Sequence, residues 1–223
     1  AEEYYAKYKI GCFDSNGYHP YISKDPRTLN LCSIANSVLG LTDIEYKPKI
    51  TVDRKKYSKN KKYVCIAVQS TCQAKYWNNP TGWLDLTKYL SNKGYKVINI
   101  SKDGEQIEGV ENISDDSMEN TKNVIFHSEF VIGLSSGLSW LSWALNKHVV
   151  MISNFTEPDH EFTINCTRIT NPLVCNGCWN NPNFKFDKGD WYWCPEHKGT
   201  ERQFECHKSI SVNDVVEKIE HWL

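Results

Sequence analysis

Short apolar runs recur through the middle of the chain. KYVCIAV at residues 62–68 is β-branched and apolar and predicts a buried strand. YKVINI at 95–100, FVIGL at 130–134 and HVVMI at 148–152 have the same character. Runs that are apolar at nearly every position are typical of parallel strands covered on both faces.

Helical spacing fills the intervals between these runs. Apolar side chains in residues 83–90 recur every three or four positions, and Gly94 supplies a stop. Ser114 is a candidate cap for a helix beginning at Asp115, and SSGLSWLSWALNK at 135–147 predicts a further helix. Strand and helix in alternation predict right-handed β-α-β units, and therefore an α/β fold with a Rossmann-like parallel sheet.

The overall composition of the chain does not indicate a function, so the function must be inferred from local features of the sequence. The chain has 223 residues, of which 40% are hydrophobic, and 26 basic residues nearly balance 27 acidic ones. Such a balance does not favour nucleic acid as a partner. The sequence has no apolar run long enough to span a membrane, and its amino end lacks the pattern of an export signal. We therefore expect a cytoplasmic protein.

Two loops carry chemistry suited to phosphate. Ligands of parallel sheets bind beyond the carboxyl ends of the strands, and both loops directly follow predicted strands. Hydroxyls and a lysine can hold a diphosphate, while the start of a helix offers free N–H groups and a positive dipole end. No G-x-G-x-x-G or P-loop motif is present. The predicted ligand-binding residues are Ser70, Thr71, Lys75, Trp77, Ser135, Ser136 and Gly137.

The carboxy-terminal part of the chain contains a cluster of cysteines. Cys175 and Cys178 form a C-x2-C knuckle, and Cys194 and Cys206 follow in a segment with little apolar periodicity. In a reducing compartment this spacing favours a structural metal site, with either Cys206 or His197 as the fourth ligand. Disulfides or four free thiols are the alternatives. The five earlier cysteines (Cys12, Cys32, Cys65, Cys72 and Cys166) are predicted to be small core residues.

Several of these segments resemble one family. VIGLSSGLSWLSWALNKHVVMIS is similar to the donor-site segment of ADP-heptose-dependent glycosyltransferases, and CPEHKGTERQFEC closely resembles the bacterial autotransporter heptosyltransferases. The similarity extends over QSTCQAKYWNNPTGW and more weakly over LCSIANSVLGLTDIEYKPKI, from about Leu29 to Leu223. Lipopolysaccharide heptosyltransferases usually read D-T-G-L-S-H where this chain has SSGLSW at 135–140.

The resemblance implies a GT-B enzyme that transfers heptose from ADP-heptose to serine hydroxyls of autotransporter adhesins. It implies iron bound by Cys175, Cys178, Cys194 and Cys206, although four thiolates also suit zinc. It further implies a homo-oligomer. Family members have an additional amino-terminal domain with a catalytic aspartate, for which the first sixty residues are too few, and no catalytic base can be named here.

The resulting expectation is a donor-binding half with three parts. Residues 1–60 are a remnant or linker, residues 61–165 and 207–223 form the Rossmann-like domain, and residues 166–206 form a four-cysteine metal finger. A non-enzymatic interaction module built on a metal knuckle is the competing hypothesis.

Overall fold

The computed structural model describes residues 13–14, 17–18, 26–52, 62–102, 106–113, 117–187 and 189–223. Two short strands, β1 (Phe13–Asp14) and β2 (Gly17–Tyr18), form an antiparallel pair. The six remaining strands are β3 (Tyr63–Ala67), β4 (Lys96–Asn99), β5 (Glu111–Asn112), β6 (Val131–Leu134), β7 (Val149–Ile152) and β8 (Cys166–Ile169). The helices are α1 (Leu31–Leu39), α2 (Gly82–Asn92), α3 (Met118–His127), α4 (Gly137–Ala144), α5 (Glu205–Lys208) and α6 (Val212–Ile219).

Strands β3 to β8 form one parallel sheet in the order β5-β4-β3-β6-β7-β8. Alternate residues of each central strand point to opposite faces, so both faces need cover. On one face Val64 and Ile66 pack with Leu86 of α2 and Val215 of α6. On the other face Cys65 packs with residues of α3 and α4. The predicted Rossmann-like α/β fold is confirmed.

The order of the strands changes direction between β3 and β6. From β3 the chain proceeds outward to β4 and β5, and then returns to place β6 on the other side of β3. The crossovers on the two sides of this point diverge, which leaves a crevice beyond the carboxyl ends of the two strands. The loops at 70–77 and 135–137, which follow β3 and β6, border this crevice.

Two details of the sequence-based prediction need correction. Helix α3 begins at Met118 and not at Asp115, because the hydroxyl of Ser117 accepts the hydrogen bond from the Asn120 backbone N–H that caps it. Ser114 and Asp115 lie outside the described residues. Strand β8 pairs with β7 over its whole length. Residues 166–169 therefore belong to the sheet and not to a separate finger.

The described residues between 26 and 52 pack against the rest of the chain. The Asn30 side chain donates to the carbonyls of Asp159 and Glu161 at 2.6 and 2.7 Å, and its oxygen caps α1. Glu45 accepts hydrogen bonds from the backbone of Thr163 and Ile164. This segment is therefore an integrated part of the fold. Among the described residues, no helix has both the length and the apolarity needed to cross a membrane.

Candidate functional site

A cavity of about 560 Å³ occupies the crevice beyond β3 and β6. This volume is in the range of small-molecule sites. The loop after β3 contributes Thr71, Cys72 and Lys75 to its lining, and the turn after β6 contributes Ser135, Ser136 and Gly137. The remaining lining residues come from α1, from Trp140 of α4, from the loop after β7 and from residues 179–191.

The turn after β6 is arranged to receive a ligand. The Ser136 hydroxyl is buried and has no hydrogen-bond partner among the described residues. Gly137 begins helix α4, and a Cβ atom at this position would meet no described atom within 4 Å. Free N–H groups at the first turn of a helix suit a phosphate, which could approach the backbone closely here.

The lysine of the loop after β3 is the cation of the cavity. Lys75 is half-buried and its Nζ atom lies 5.4 Å from the ring centroid of Phe155. No described carboxylate forms an ion pair with it. The Ser70 hydroxyl donates to the Ser135 carbonyl at 2.8 Å and thereby joins the two loops. An available lysine and an unsatisfied hydroxyl thus border the same space.

Of the predicted ligand-binding residues, Ser70 and Trp77 do not line the cavity, and Trp77 lies in the core. Its side chain is 3% exposed and packs edge-to-face against Trp83 in the core. Its indole N–H donates to the Ile210 carbonyl at 2.9 Å. It holds the loop onto α2 and does not line the cavity.

A buried carboxylate lies directly behind the turn after β6, and sequence reasoning missed it. Glu161 accepts hydrogen bonds from Ser135, Thr156 and Arg168, and only 2% of the residue is exposed. Burial opposes ionisation, but the Arg168 charge and these hydrogen bonds outweigh it and hold the pKa of Glu161 below its ordinary value. The ionised carboxylate therefore anchors Ser135.

A histidine and a tryptophan complete the wall beside Glu161. The Trp179 indole N–H donates to Nε2 of His160 at 2.9 Å, and Nδ1 of His160 donates to the Leu29 carbonyl at 2.9 Å. Burial lowers the pKa of His160, which agrees with a neutral ring in this arrangement. The wall thus carries no charge of its own at this point.

The four clustered cysteines lie together in the segment 170–206, called the finger below. Cys175, Cys178, Cys194 and Cys206 border one small cavity with mainly apolar surroundings. All eight cysteines in the described part of the chain are free of disulfides. A hydrogen bond from Cys206 lowers the pKa of the Cys175 thiol, and burial raises that of Cys178 to about 12. Four cysteines that border one cavity supply the ligand type of a tetrahedral metal site.

His197 is placed beside this cluster. It groups with Cys175 and Glu205, with ligand atoms within 4.8 Å of one another, but it does not border the cavity shared by the four thiols. Its Nε2 atom is buried without a hydrogen bond and lies 3.5 Å from Glu205. Cys175 therefore belongs both to the four-cysteine set and to the set that it forms with His197 and Glu205.

Backbone hydrogen bonds hold the knuckle against the loop that follows β7. The Gly177 backbone N–H donates to the Asn154 carbonyl at 2.8 Å, and the Trp179 backbone N–H donates to the Phe155 carbonyl at 3.1 Å. Gly177 has a φ of 62°, and a Cβ atom there would overlap the carboxylate of Glu157. Glycine is therefore favoured at this position, because its left-handed backbone conformation strains other residues.

The other predicted core cysteines differ in environment. Cys65 lies in the sheet and Cys72 at the cavity, and both are buried, whereas Cys32 and Cys166 are half-buried. Cys12 lies outside the described residues.

A parallel α/β sheet with an anion-suited cavity at its switch point defines a nucleotide-binding type of domain. The chain belongs to glycosyltransferase family 9 (heptosyltransferase), whose profile matches residues 27–189. It is 40% identical to the autotransporter heptosyltransferase Aah of Escherichia coli, a match that covers 95% of this chain and 56% of Aah. It thus spans little more than half the length of that relative.

Two further comparisons refine this relation. The crystal structure of the iron-containing dodecameric glycosyltransferase TibC from enterotoxigenic E. coli H10407 superposes with a TM-score of 0.88 at 36% identity, and the match covers 98% of this chain and 61% of TibC. The inactive autotransporter heptosyltransferase BimC of Burkholderia thailandensis is 32% identical over 96% of this chain and 52% of BimC. The relatives of this chain therefore include one that is described as inactive.

Proposed function

We propose that this chain is the donor-binding part of a heptosyltransferase that transfers heptose from ADP-heptose to serine hydroxyls of autotransporter adhesins. The observation that carries the proposal is the cavity at the switch point, where Lys75 and the turn at Ser136 and Gly137 converge. The relatives support the choice of sugar, since TibC has a crystal structure in complex with ADP-D-β-D-heptose.

The chain's own residues account for the donor side of the reaction. The bond between the anomeric carbon and the diphosphate oxygen breaks, a serine oxygen bonds to that carbon, and ADP leaves with the bonding electron pair. Lys75 and the N–H groups at the start of α4 would stabilise the negative charge that grows on the departing diphosphate. The serine proton needs a base, which the described residues do not identify.

The same proposal extends to the finger and to assembly. Cys175, Cys178, Cys194 and Cys206 would bind iron or zinc, which would supply the cross-link that orders a segment poor in regular structure. Free thiols fit a reducing compartment, so we place the protein in the bacterial cytoplasm. TibC is dodecameric, and we propose that the protein containing this chain also forms a homo-oligomer.

The test of donor binding is calorimetry with ADP and the Lys75→Ala variant. The loss of a charge-assisted hydrogen bond should weaken binding by about 1.5–3 kcal/mol. Ser136→Asp should abolish binding, because its carboxylate would repel the phosphate. Lys88→Ala is the control, since Lys88 is exposed on α2 and does not line the cavity. ADP affinity unchanged in both Lys75→Ala and Ser136→Asp would refute the assignment of the site.

A further inference from the structure

We propose that the finger forms part of the nucleotide-binding site, so that metal occupancy and ADP affinity are thermodynamically linked. This inference rests on the proposed function and deepens it. The finger would act on the donor, in addition to stabilising the fold, by positioning one wall of the cavity.

The finger supplies a third of the residues that line the cavity. Six of the eighteen lie between two of the clustered cysteines, Cys178 and Cys194: Trp179, Phe186, Asp187, Gly189, Asp190 and Trp191. The described residues of this stretch form no helix or strand, and helix α5 begins only at Glu205, near the end of the finger. The position of the wall therefore depends on the contacts that hold the stretch, which include those at its two ends.

Aromatic packing connects the cavity wall to the thiols. Phe155, Trp179, Phe186 and Trp193 form an aromatic cluster with ring centroids 4.8–6.0 Å apart. The same hydrophobic core includes Cys178 and Cys194. Phe155 borders both the large cavity and the small cavity between the thiols. A shift at the thiols would thus reach the large cavity through one layer of side chains.

The loop that carries Lys75 is attached to the same wall. The Gln73 backbone N–H donates to the Trp191 carbonyl at 3.0 Å, and the Tyr76 ring contacts the Trp191 ring edge-to-face. Lys75 itself lies over the Phe155 ring. The loop of the predicted phosphate-binding lysine and the finger wall are therefore held in place by contacts with each other and with Phe155.

Linkage follows if metal and ADP both stabilise this arrangement. A metal ion that fixes Cys178 and Cys194 would reduce the ordering that ADP must impose on the wall, and ADP would in turn oppose opening of the metal site. The two effects must be equal in free energy, because coupling between two sites is reciprocal. If the metal only stabilised the fold at a distance from the donor, metal occupancy would not change ADP affinity and ADP would not change metal release.

The experiment measures metal release from the 223-residue chain purified with its metal. A chromophoric chelator in excess reports the release rate with and without saturating ADP, and inorganic phosphate serves as the ionic control. We expect ADP to slow release at least fivefold and phosphate to leave it unchanged. Calorimetry on metal-depleted protein that retains its circular dichroism spectrum should give ADP affinity at least tenfold weaker.

Two neighbouring aromatic residues provide a matched pair of variants. Trp191 lines the cavity, whereas Tyr192 is 55% exposed and does not line it. Trp191→Ala should keep its metal, bind ADP about threefold to tenfold more weakly and reduce the slowing of release at a fixed subsaturating ADP concentration. Tyr192→Ala should match the unmodified chain in all three measurements.

The outcomes separate this inference from the proposed function. If the metal-loaded chain binds ADP but releases its metal at the same rate with and without ADP, the linkage is wrong and donor binding stands. If the metal-loaded chain does not bind ADP, the proposed function fails and the linkage fails with it. The release measurement needs no metal-depleted protein, so it decides the question even if that protein unfolds.

Discussion

At the scale of single residues, a carboxylate beside a phosphate-binding turn would repel the ligand unless a cation cancels its charge. Glu161 meets this condition through Arg168, whose guanidinium also donates to the Thr156 carbonyl at 3.1 Å. The pair fixes the Ser135 hydroxyl while leaving the charge of Lys75 available for the donor. The charge that the cavity presents to a ligand is thus set partly by buried groups.

The Glu161–Arg168 pair predicts a specific pH dependence of stability. Because the folded pKa of Glu161 lies below its ordinary value, its stabilisation is complete above about pH 4.3 and is lost as pH falls through the folded pKa. Glu161→Gln should destabilise the protein by about 3–5 kcal/mol at pH 7, since it leaves Arg168 unpaired. Urea unfolding from pH 7 to pH 3 should show this difference shrinking below about pH 4.3.

Exposed Glu129 provides the comparison for this measurement. Glu129→Gln should remain close to the unmodified chain at every pH, because the carboxylate faces solvent. A deficit of Glu161→Gln that stayed constant down to pH 3 would show that the pKa of Glu161 is not lowered in the folded protein. The charge of Glu161 acts against the lowering of the His160 pKa by burial, so Glu161→Gln also changes the titration of His160.

At the scale of elements, the sequence predicted the four central strands within two residues at either end. Their apolar runs are continuous because both faces of the sheet are covered. Strands β5 and β8 were missed, because they lie at the sheet edges and only Ile169 among their residues is buried. Edge strands lack the apolar pattern by which a buried strand is recognised.

Residues of the candidate site could be predicted where a polar or charged side chain lies shortly after a strand. Lys75 and Ser136 could be placed at one sheet edge from the order of strands alone. The ion pair of Glu161 and Arg168 could not, because its partners come from a loop and an edge strand that only the folded sheet brings together. Trp77 was predicted to bind the ligand, but its side chain lies in the core. Sequence alone does not show which side of a loop faces the core.

The four cysteines of the finger predict that the purified chain contains a bound metal ion. Four thiols bordering one cavity should bind about one iron or zinc ion per chain, measured by elemental analysis of protein purified without added metal. Cys178→Ser should lose the metal and much of its solubility. Cys65→Ser should keep the metal, because Cys65 is buried in β3. A metal-free, fully folded preparation of the unmodified chain would contradict the assignment.

At the scale of the whole molecule, three parts of the chain meet at the cavity. The segment before β3, the sheet loops and the finger each contribute lining residues. Arg27 joins the first of these to the third, since its guanidinium donates to the carbonyls of Asn181, Pro182 and Phe184 at 3.3, 3.1 and 2.8 Å. The Asn180 amide returns a hydrogen bond to the Arg27 carbonyl at 2.6 Å. We therefore expect α1 and the finger to open together.

Arg27→Met tests this cooperative unit. The substitution keeps an apolar stem but removes the charged donors from three carbonyls, so it should lower the free energy of unfolding by about 1.5–3 kcal/mol. Hydrogen exchange measured by mass spectrometry should show α1 and residues 177–194 losing protection to the same extent, while β3, β6 and β7 keep theirs. Arg202→Met is the control, because the Arg202 side chain is 61% exposed and pairs locally with Glu205. Loss of protection in α1 alone would show that the two parts open independently, and that Arg27 supports α1 without holding the finger.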